Sequence, residues 1–261
     1  MGRSYQRKSR CHYEGTLVSK RFFDVLASSI GLVVFSPVLL PTALAIWLQD
    51  FHSPFYIAKR VGKNGKPFDM IKFRSMSIGA NKTGVNSTSD QDNRITPIGH
   101  IVRRLKLDEI TQLWNVLIGD MSVVGPRPQV SRHGTELYTS VEQSLLEVKP
   151  GISDLASIVF ADEGQILKSS KNPDLDYNRL IRPWKSRLAL LYTKNISLAL
   201  DLKIIGLTVL TLVDRKKSLA GVYQIARHLG AEPKTLETIL RKKELEPYPP
   251  PGTDQIVEEL L

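Results

Sequence analysis

An α-rich α+β fold carrying a membrane element is what this sequence predicts, on three observations. From Val25 to Leu48 there is no charged residue. Two short apolar and aromatic runs flank Asn64-Gly65, a turn dipeptide, and so read as a β-hairpin. Beyond Thr96 the apolar residues recur at helical spacing through several segments.

The uncharged run governs the N-terminal part. At about 1.5 Å per residue, a straight helix of that length is enough to cross a hydrocarbon core about 30 Å thick. Pro37 falls in its middle and Pro41 one turn later, and each removes a backbone donor. Arg3, Arg7, Lys8, Arg10, Lys20 and Arg21 precede the run, while Lys59, Arg60, Lys63 and Lys66 follow it. Positive charge on both flanks gives no orientation bias, as in a hairpin that enters and leaves by one face. In that arrangement Ser36 caps the second arm and Pro37 is its first helical residue. A single spanning helix and a cleaved signal sequence, with Ala43-Leu44-Ala45 as its small-residue site, stand beside the hairpin.

The remaining elements follow in order. Phe55 to Arg60 and Phe68 to Phe73 are the predicted strands. Residues 77–92 are rich in Gly, Asn, Ser, Thr and Asp and read as a loop. Thr96-Pro97 starts a helix whose stripe is Ile98, Ile101, Val102 and Leu105. A second helix is predicted from Asp108, with Ile110, Leu113, Trp114 and Leu117 on its apolar face and Gly119 as its stop. Residues 135–148 and 184–192 are further helices. Leu198, Leu202, Ile205, Val209 and Leu212 mark an amphipathic helix suited to a core or a membrane surface. Residues 221–229 and 233–243 form a helical pair, and Tyr248 to Gly252 is an extended proline-rich tail.

Composition narrows the function classes. A chain of 261 residues makes one good domain with appendages. Net charge +10 favours anionic partners: nucleic acid, acidic lipid or phosphorylated metabolites. Cys11 is the only cysteine, which excludes an intrachain disulfide and a thiolate metal cluster. There is no P-loop, GxGxxG, HExxH or GxSxG motif.

The chemistry concentrates between Lys72 and Pro128. Asp108 and Glu109 are adjacent acids among cations at Lys72, Arg74, Arg103, Arg104 and Arg127. Near a helix N-terminus the dipole and free N–H groups hold Asp108 as a carboxylate, fit to act as nucleophile or metal ligand. Neighbours on a helix point about 100° apart, so the two acids can do different jobs. Lys72 and Arg74 share one face of the second strand, and Arg127 sits on a stiff Pro-Arg-Pro loop. Such a cation set offsets the repulsion met by a carboxylate attacking a diphosphate. A plain helix cap and solvated surface charges explain the same residues taken singly.

At these residues the chain resembles the bacterial sugar transferases, the monotopic phosphoglycosyl transferases of membrane glycan assembly. The likeness runs from Ser19 to Val213. It takes in Lys20-Arg21-Phe22-Phe23-Asp24, Ser36-Pro37, Phe55-Tyr56, Arg60-Val61-Gly62, Phe68, KFRSM (Lys72 to Met76), Asp92-Asn93-Arg94-Ile95-Thr96, LDEITQLWNVLIGDMSVVGPRP (Leu107 to Pro128), Lys149-Pro150-Gly151-Ile152, Tyr192 and Asp201. With only a short leader ahead of this core, the chain resembles the small form of the family. The resemblance implies a monotopic membrane protein with a re-entrant helix-break-helix hairpin, a short β-hairpin and a helical catalytic domain. It implies transfer of a phosphosugar from a UDP-sugar to polyprenyl phosphate, with release of UMP, at the cytoplasmic face of the bacterial inner membrane. Asp108 is then the nucleophile forming a phosphosugar-enzyme intermediate, and Glu109 assists near the metal or in proton handling. Magnesium is the implied ion, with Asp108 and Glu109 as its ligands. Lys72, Arg103 and Arg127 fall on basic active-site positions, and Ser36-Pro37 falls on the membrane hairpin break. Membrane lipids are expected partners, no nucleic acid is expected, and an oligomer is compatible with the sequence.

One departure concerns Ser153 to Leu167 (SDLASIVFADEGQIL), which lacks an arginine that the family pattern places there; Arg179, Arg182 and Arg187 are the candidates to replace it. The implied organisation is a basic leader at 1–18, the hairpin at 19–50, the catalytic domain at 51–213 and a C-terminal extension at 214–261. Two other classes compete: a membrane-tethered nucleic-acid binder using Gln224 to Gly230 as a helix-turn-helix, and an inactive membrane scaffold.

Overall fold

The structure is a computed structural model that describes residues 2–80, 92–130 and 136–259, and for residues 2–14 and 16 the backbone alone. Helix α1 (Gly2–Asp50) leads into an antiparallel pair, β1 (Phe55–Val61) and β2 (Pro67–Phe73). Asn64 and Gly65 adopt positive φ at the tip, so the turn signal in the sequence marks the real turn. Residues 81–91, most of the expected loop, lie outside the described residues. Thr96 then caps α2 (Pro97–Arg104), its hydroxyl accepting from the Gly99 N–H at 3.0 Å.

The helix expected from Asp108 is two helices, α3 (Leu107–Ile110) and α4 (Leu113–Ile118). Gly119 ends α4 at φ 102°, as its glycine predicts. The break at Thr111-Gln112 has a local cause. The Thr111 hydroxyl bonds the Asp108 and Ile71 carbonyls, which turns the chain onto the edge of β2. Trp114, expected on the apolar face, is exposed.

Two three-residue strands, β3 (Ser122–Val124) and β4 (Gly151–Ser153), pair in parallel; they are too short to read from alternation. The helix expected over residues 135–148 is a single turn, α5 (Ser140–Gln143), continued as 3₁₀ to Glu147; Thr135 lies outside the described residues. Short helices α6 (Leu155–Val159), α7 (Glu163–Ile166) and α8 (Pro173–Asp176) follow. A π turn at Tyr177–Ile181 enters α9 (Arg182–Thr193). Then come α10 (Leu198–Val213), α11 (Arg215–His228) and α12 (Pro233–Ile239).

The main core joins α6, α9, α10, α11 and α12 around Leu155, Ile158, Ile181, Trp184, Tyr192, Ile204 and Val222. The C-terminal segment is therefore part of this core, not an appendage. Leu219, Val222 and Ala226 of α11 and Ile239 of α12 are buried in it, which spends on packing the pair read as a helix-turn-helix. The proline-rich tail is extended but docked. Tyr248 stacks on Trp184 at 4.3 Å, and Pro250 and Pro251 are buried. On α10 the named stripe largely faces outward: Leu202, Val209 and Leu212 are exposed, while Leu200, Asp201 and Ile204 are buried. The helix is apolar nearly all round, and of the two alternatives for the stripe, core or membrane surface, the core is taken by the opposite face.

Helix α1 passes through Pro37 and Pro41 as one element. Pro37 removes the donor that the Val33 carbonyl would receive, and the Ser36 hydroxyl fills that place at 2.7 Å. Ser36 therefore donates backwards and caps nothing, contrary to expectation. Both ends of α1 dock on one body. Near the start, Lys20 reaches Asp201 on α10 at 2.5 Å, and Asp24 accepts from the Ser122 hydroxyl and the Val123 N–H at 3.0 Å. Arg21 donates to the Val116 and Leu117 carbonyls at the C-terminus of α4. At the far end Ile46 is buried against Phe73, Val102 and Leu107, and Asp50 takes two 2.6 Å bonds from Arg74. Between these anchors the inward face packs on the same body, with Ser28 buried and Leu39 and Ala43 against the Ile46 cluster, while the outward face is bare, Val33 at 72% and Leu40 at 70% exposure.

Lys20→Met leaves the Asp201 carboxylate buried without its cation. We expect a loss of about 3–5 kcal/mol, read as a melting temperature lower by on the order of 10 °C. The double substitution Lys20→Met with Asp201→Leu should recover most of it, because neither charge is then stranded.

Candidate functional site

Four segments bring the charged groups together. The first is the β-hairpin. Its register sets Tyr56 opposite Lys72 and Arg60 opposite Phe68, so Tyr56, Arg60 and Lys72 share a face. The second is α3 with Asp108 and Glu109. Asn115 fixes the two relative to each other: its amide accepts from the Ile71 N–H at 2.9 Å and donates to the Asp69 carbonyl at 2.8 Å, completing the outer edge of β2. The third is the Pro126-Arg127-Pro128 turn after β3. It leaves the strand pair where Gly125 and Gly151 touch; a Cβ on Gly151 would sit 2.0 Å from the Gly125 nitrogen. The fourth comprises Glu163 of α7, Tyr177 of the π turn and Lys185 of α9. Lys185 is paired with Glu163 and lies 5.2 Å from the Tyr177 ring centre.

The two acids are driven in opposite directions. Burial raises the Asp108 carboxyl above its usual range; Lys72 opposes the rise and Glu109 adds to it. Burial pushes Glu109 up as well, but Arg127, Lys106 and Lys72 outweigh it and hold that carboxyl low. Arg127 donates to Glu109 at 3.2 Å, and Lys106 stands 3.7 Å away. The shift at Asp108 thus runs opposite to the one a helix dipole alone would give. Helix α3 has only four residues, its N-cap Lys106 is left-handed with no capping side chain, and burial beside a second acid dominates.

Burial lowers Lys72 to about 8, with Arg127 adding to the effect and the two acids resisting it. Glu109 is the largest influence on Arg127 and holds its charge firmly. Burial, then Arg127, lowers Arg60, whose buried Nε has no hydrogen-bond partner. This is an unspent donor near Arg127 and Lys72.

Of the residues named from sequence, Asp108, Glu109, Lys72 and Arg127 come together. Arg74 does not join them, because it is clasped by Asp50 at the end of α1. Arg103 and Arg104 occupy the last turn of α2 and are not among the strongest influences on either acid. Arg182, one candidate for the absent loop arginine, is buried against Glu142 at 2.6 Å. Arg179 pairs with Asp176, and Arg187 lies over the Tyr248 ring. The cation that does stand near Arg127 is Lys185. Sequence reasoning missed Arg60, Tyr177 and Lys185. For Arg60 a signal existed in the hairpin register that Asn64-Gly65 imposes.

Chemically the site offers one buried carboxylate poised to react, a second held ionised, and Lys72, Arg127 and the free edge of Arg60 to receive phosphate oxygens. Among the described residues no cluster of three or more His, Cys, Asp or Glu side chains forms a closed metal cage. A pair of carboxylates is nonetheless the donor set that magnesium takes, with substrate phosphates and water completing its shell.

Comparison with known proteins agrees with this chemistry. The model of the family described as "Bacterial sugar transferase" matches residues 15–215. An Aeromonas hydrophila UDP-N-acetylgalactosamine-undecaprenyl-phosphate N-acetylgalactosaminephosphotransferase is 35% identical over 74% of this chain and 43% of its own length. A Klebsiella pneumoniae UDP-glucose:undecaprenyl-phosphate glucose-1-phosphate transferase is 36% identical over 74% of this chain and 40% of its own. The exopolysaccharide production protein ExoY of Rhizobium meliloti is 37% identical over 54% of this chain and 69% of its own. The chain thus spans about two fifths of the Aeromonas and Klebsiella relatives.

The depressed Lys72 makes a pH prediction. Between about 8 and 10.5 the unfolded lysine keeps its proton and the folded one has lost it, so the ligand-free protein should gain stability as pH rises through that window. Chemical denaturation at stepped pH should show the gain, and Lys72→Met should flatten it. Affinity for a phosphate-bearing ligand should move the other way, falling above pH 8.

Proposed function

The chain belongs to the bacterial sugar transferase family, and on that footing we propose that it moves a phosphosugar from a UDP-sugar to polyprenyl phosphate, releasing UMP, in the first membrane step of glycan assembly. The observation that carries this reading is the Asp108–Glu109 pair set against Lys72 and Arg127, on a body that holds an apolar helix at both ends.

Asp108 attacks the sugar-bearing phosphorus through a carboxylate oxygen. The bond from that phosphorus to the bridging oxygen breaks, and UMP leaves with the bond electrons. The phosphosugar remains on Asp108 as an acyl phosphate. An oxygen of polyprenyl phosphate then attacks the same phosphorus and frees the carboxylate. Lys72 favours the ionised form of Asp108 and, with Arg127 and Arg60, faces the diphosphate. Glu109, held low by Arg127, stays charged and serves on the metal side of the site; it is poorly suited to carry a proton. Magnesium held by Asp108 and Glu109 would neutralise charge on the diphosphate and the departing UMP. Lys185, held by Glu163 near Arg127, takes the donor-side place of the absent loop arginine.

The membrane arrangement follows from the docking of α1. Its apolar part runs from Leu17 to Asp50, 34 residues, or about 50 Å if straight. A spanning helix would put its two ends on opposite sides of a core about 30 Å thick. Lys20 and Asp50 both hold the same body, which supports a helix that enters and returns from one face, with Ser36-Pro37 as the proposed place of its bend. The bare outward face around Val33 to Leu40 is the part in lipid. The membrane is then the bacterial inner membrane, with the site on its cytoplasmic face.

Asp108→Asn should reduce UMP release from UDP-sugar, polyprenyl phosphate and magnesium by at least about 10³-fold; activity near that of the parent removes Asp108 as nucleophile. Lys185→Met should raise the donor KM by roughly tenfold, the loss of about one charge-assisted hydrogen bond, and leave the acceptor KM in place. Reporter tags at residues 1 and 261 should both read cytoplasm; opposite sides would mean a true span.

A further inference from the structure

A cleft of about 160 Å³ opens between the start of α1, β3 and the segment before β4. It is separate from the acid pair: the cations that act most on Asp108 and Glu109 are Lys72, Lys106 and Arg127, and none of these lines it. Lys20, Arg21, Lys63 and Lys149 do.

The charges in this cleft do not balance locally. Asp24 is spent on Ser122 and Val123, and Asp201 behind it on Lys20 and Tyr192. Glu147 is exposed and, among the described residues, makes no ion pair. The terminal nitrogens of Arg21 are committed to the carbonyls of Val116 and Leu117. Lys63 and Lys149 are left with no acid within ion-pair distance among the described residues. They are also crowded by like charge. A Cβ placed on Gly119 would lie 3.4 Å from Arg21 Nη2 and 3.5 Å from Lys149 Nζ, so those two cations flank one point with no acid named between them. Burial lowers Lys149, and Arg21 and Lys63 lower it further, against a weaker pull from Asp24 and Asp120. Two free ammonium groups, a third fixed cation and apolar walls at Leu17, Val148 and Ile196 suit a phosphate attached to a hydrocarbon body.

Position selects the source. Leu17 to Asp24 directly precede the uncharged run that begins at Val25. On the membrane attachment proposed above, this turn of α1 stands at headgroup level. We propose that the cleft binds the phosphate of an anionic membrane phospholipid, with Lys63 and Lys149 as its donors.

The test uses the full chain in nanodiscs of phosphatidylcholine, with phosphatidylglycerol added in steps and the melting temperature read at each. The melting temperature should rise by several degrees and saturate. Lys63→Gln with Lys149→Gln should start at a similar value in phosphatidylcholine and lose the rise. Lys63→Gln alone, at an exposed turn, should lose part of it, which covers the case of a poorly folded double variant. An equal rise in the variants, or none in the parent, overturns the site. An equal rise with inorganic phosphate in pure phosphatidylcholine overturns the lipid as its source. Failure of the parent to enter phosphatidylcholine discs is a different result, since it removes the membrane attachment and this site with it, while UMP release in detergent would still report on the proposed reaction.

Discussion

Lys20 and Asp201 meet inside the protein at 2.5 Å, and the placement of the long apolar helix α1 depends on that contact. Lys20 also donates to the Val124 carbonyl, and the Tyr192 hydroxyl donates to Asp201 at 2.7 Å with the same carbonyl 3.1 Å away. One buried carboxylate therefore joins α1, the end of β3, α9 and α10. The cost is visible in Asp201 itself: burial pushes its carboxyl up despite the lysine and the tyrosine that pull it down. A pair so expensive to bury adds little net stability. What it fixes is geometry, because any other docking of α1 would strand both charges.

From that joint one side of the site is positioned directly, and Asn115 ties the other side to the edge of β2. β3 leads straight into Pro126-Arg127-Pro128, so the strand that receives Lys20 and Asp24 also aims Arg127 at Glu109. The acids then diverge for a simple reason. Glu109 has a guanidinium in hydrogen-bond contact and Asp108 does not, so the same desolvation is cancelled at one and left standing at the other. Adjacent carboxyls in different environments are how a single short helix supplies two unlike groups.

Much of this was legible in the sequence, and the remainder was hidden for identifiable reasons. The Asn64-Gly65 turn, the Thr96-Pro97 start and the Gly119 stop act within a few residues, and each stands where the sequence put it. Asp108, Glu109, Lys72 and Arg127 were visible as a dense charged run joined to phosphate chemistry. Arg74 was misread because strand alternation gives a face and says nothing of what waits on it; the partner, Asp50, lies across a chain reversal. Tyr177 and Lys185 reach the site through a π turn, which shifts the helical register and has no compositional mark. Which face of α10 enters the core stayed open in the sequence, because a helix apolar on most sides carries no preferred phase.

The docked C-terminal strand has a consequence for how the molecule is made. Tyr248 covers Trp184, the Arg187 guanidinium donates to the Pro249 carbonyl, and the Thr139 hydroxyl bonds the Pro251 carbonyl. Synthesis runs from the N-terminus at roughly 5–20 residues per second. Helix α1 is therefore synthesised many seconds before the extended segment that closes over Trp184. The core around Trp184 is thus closed by a segment made well after the helix that the same body holds at both ends.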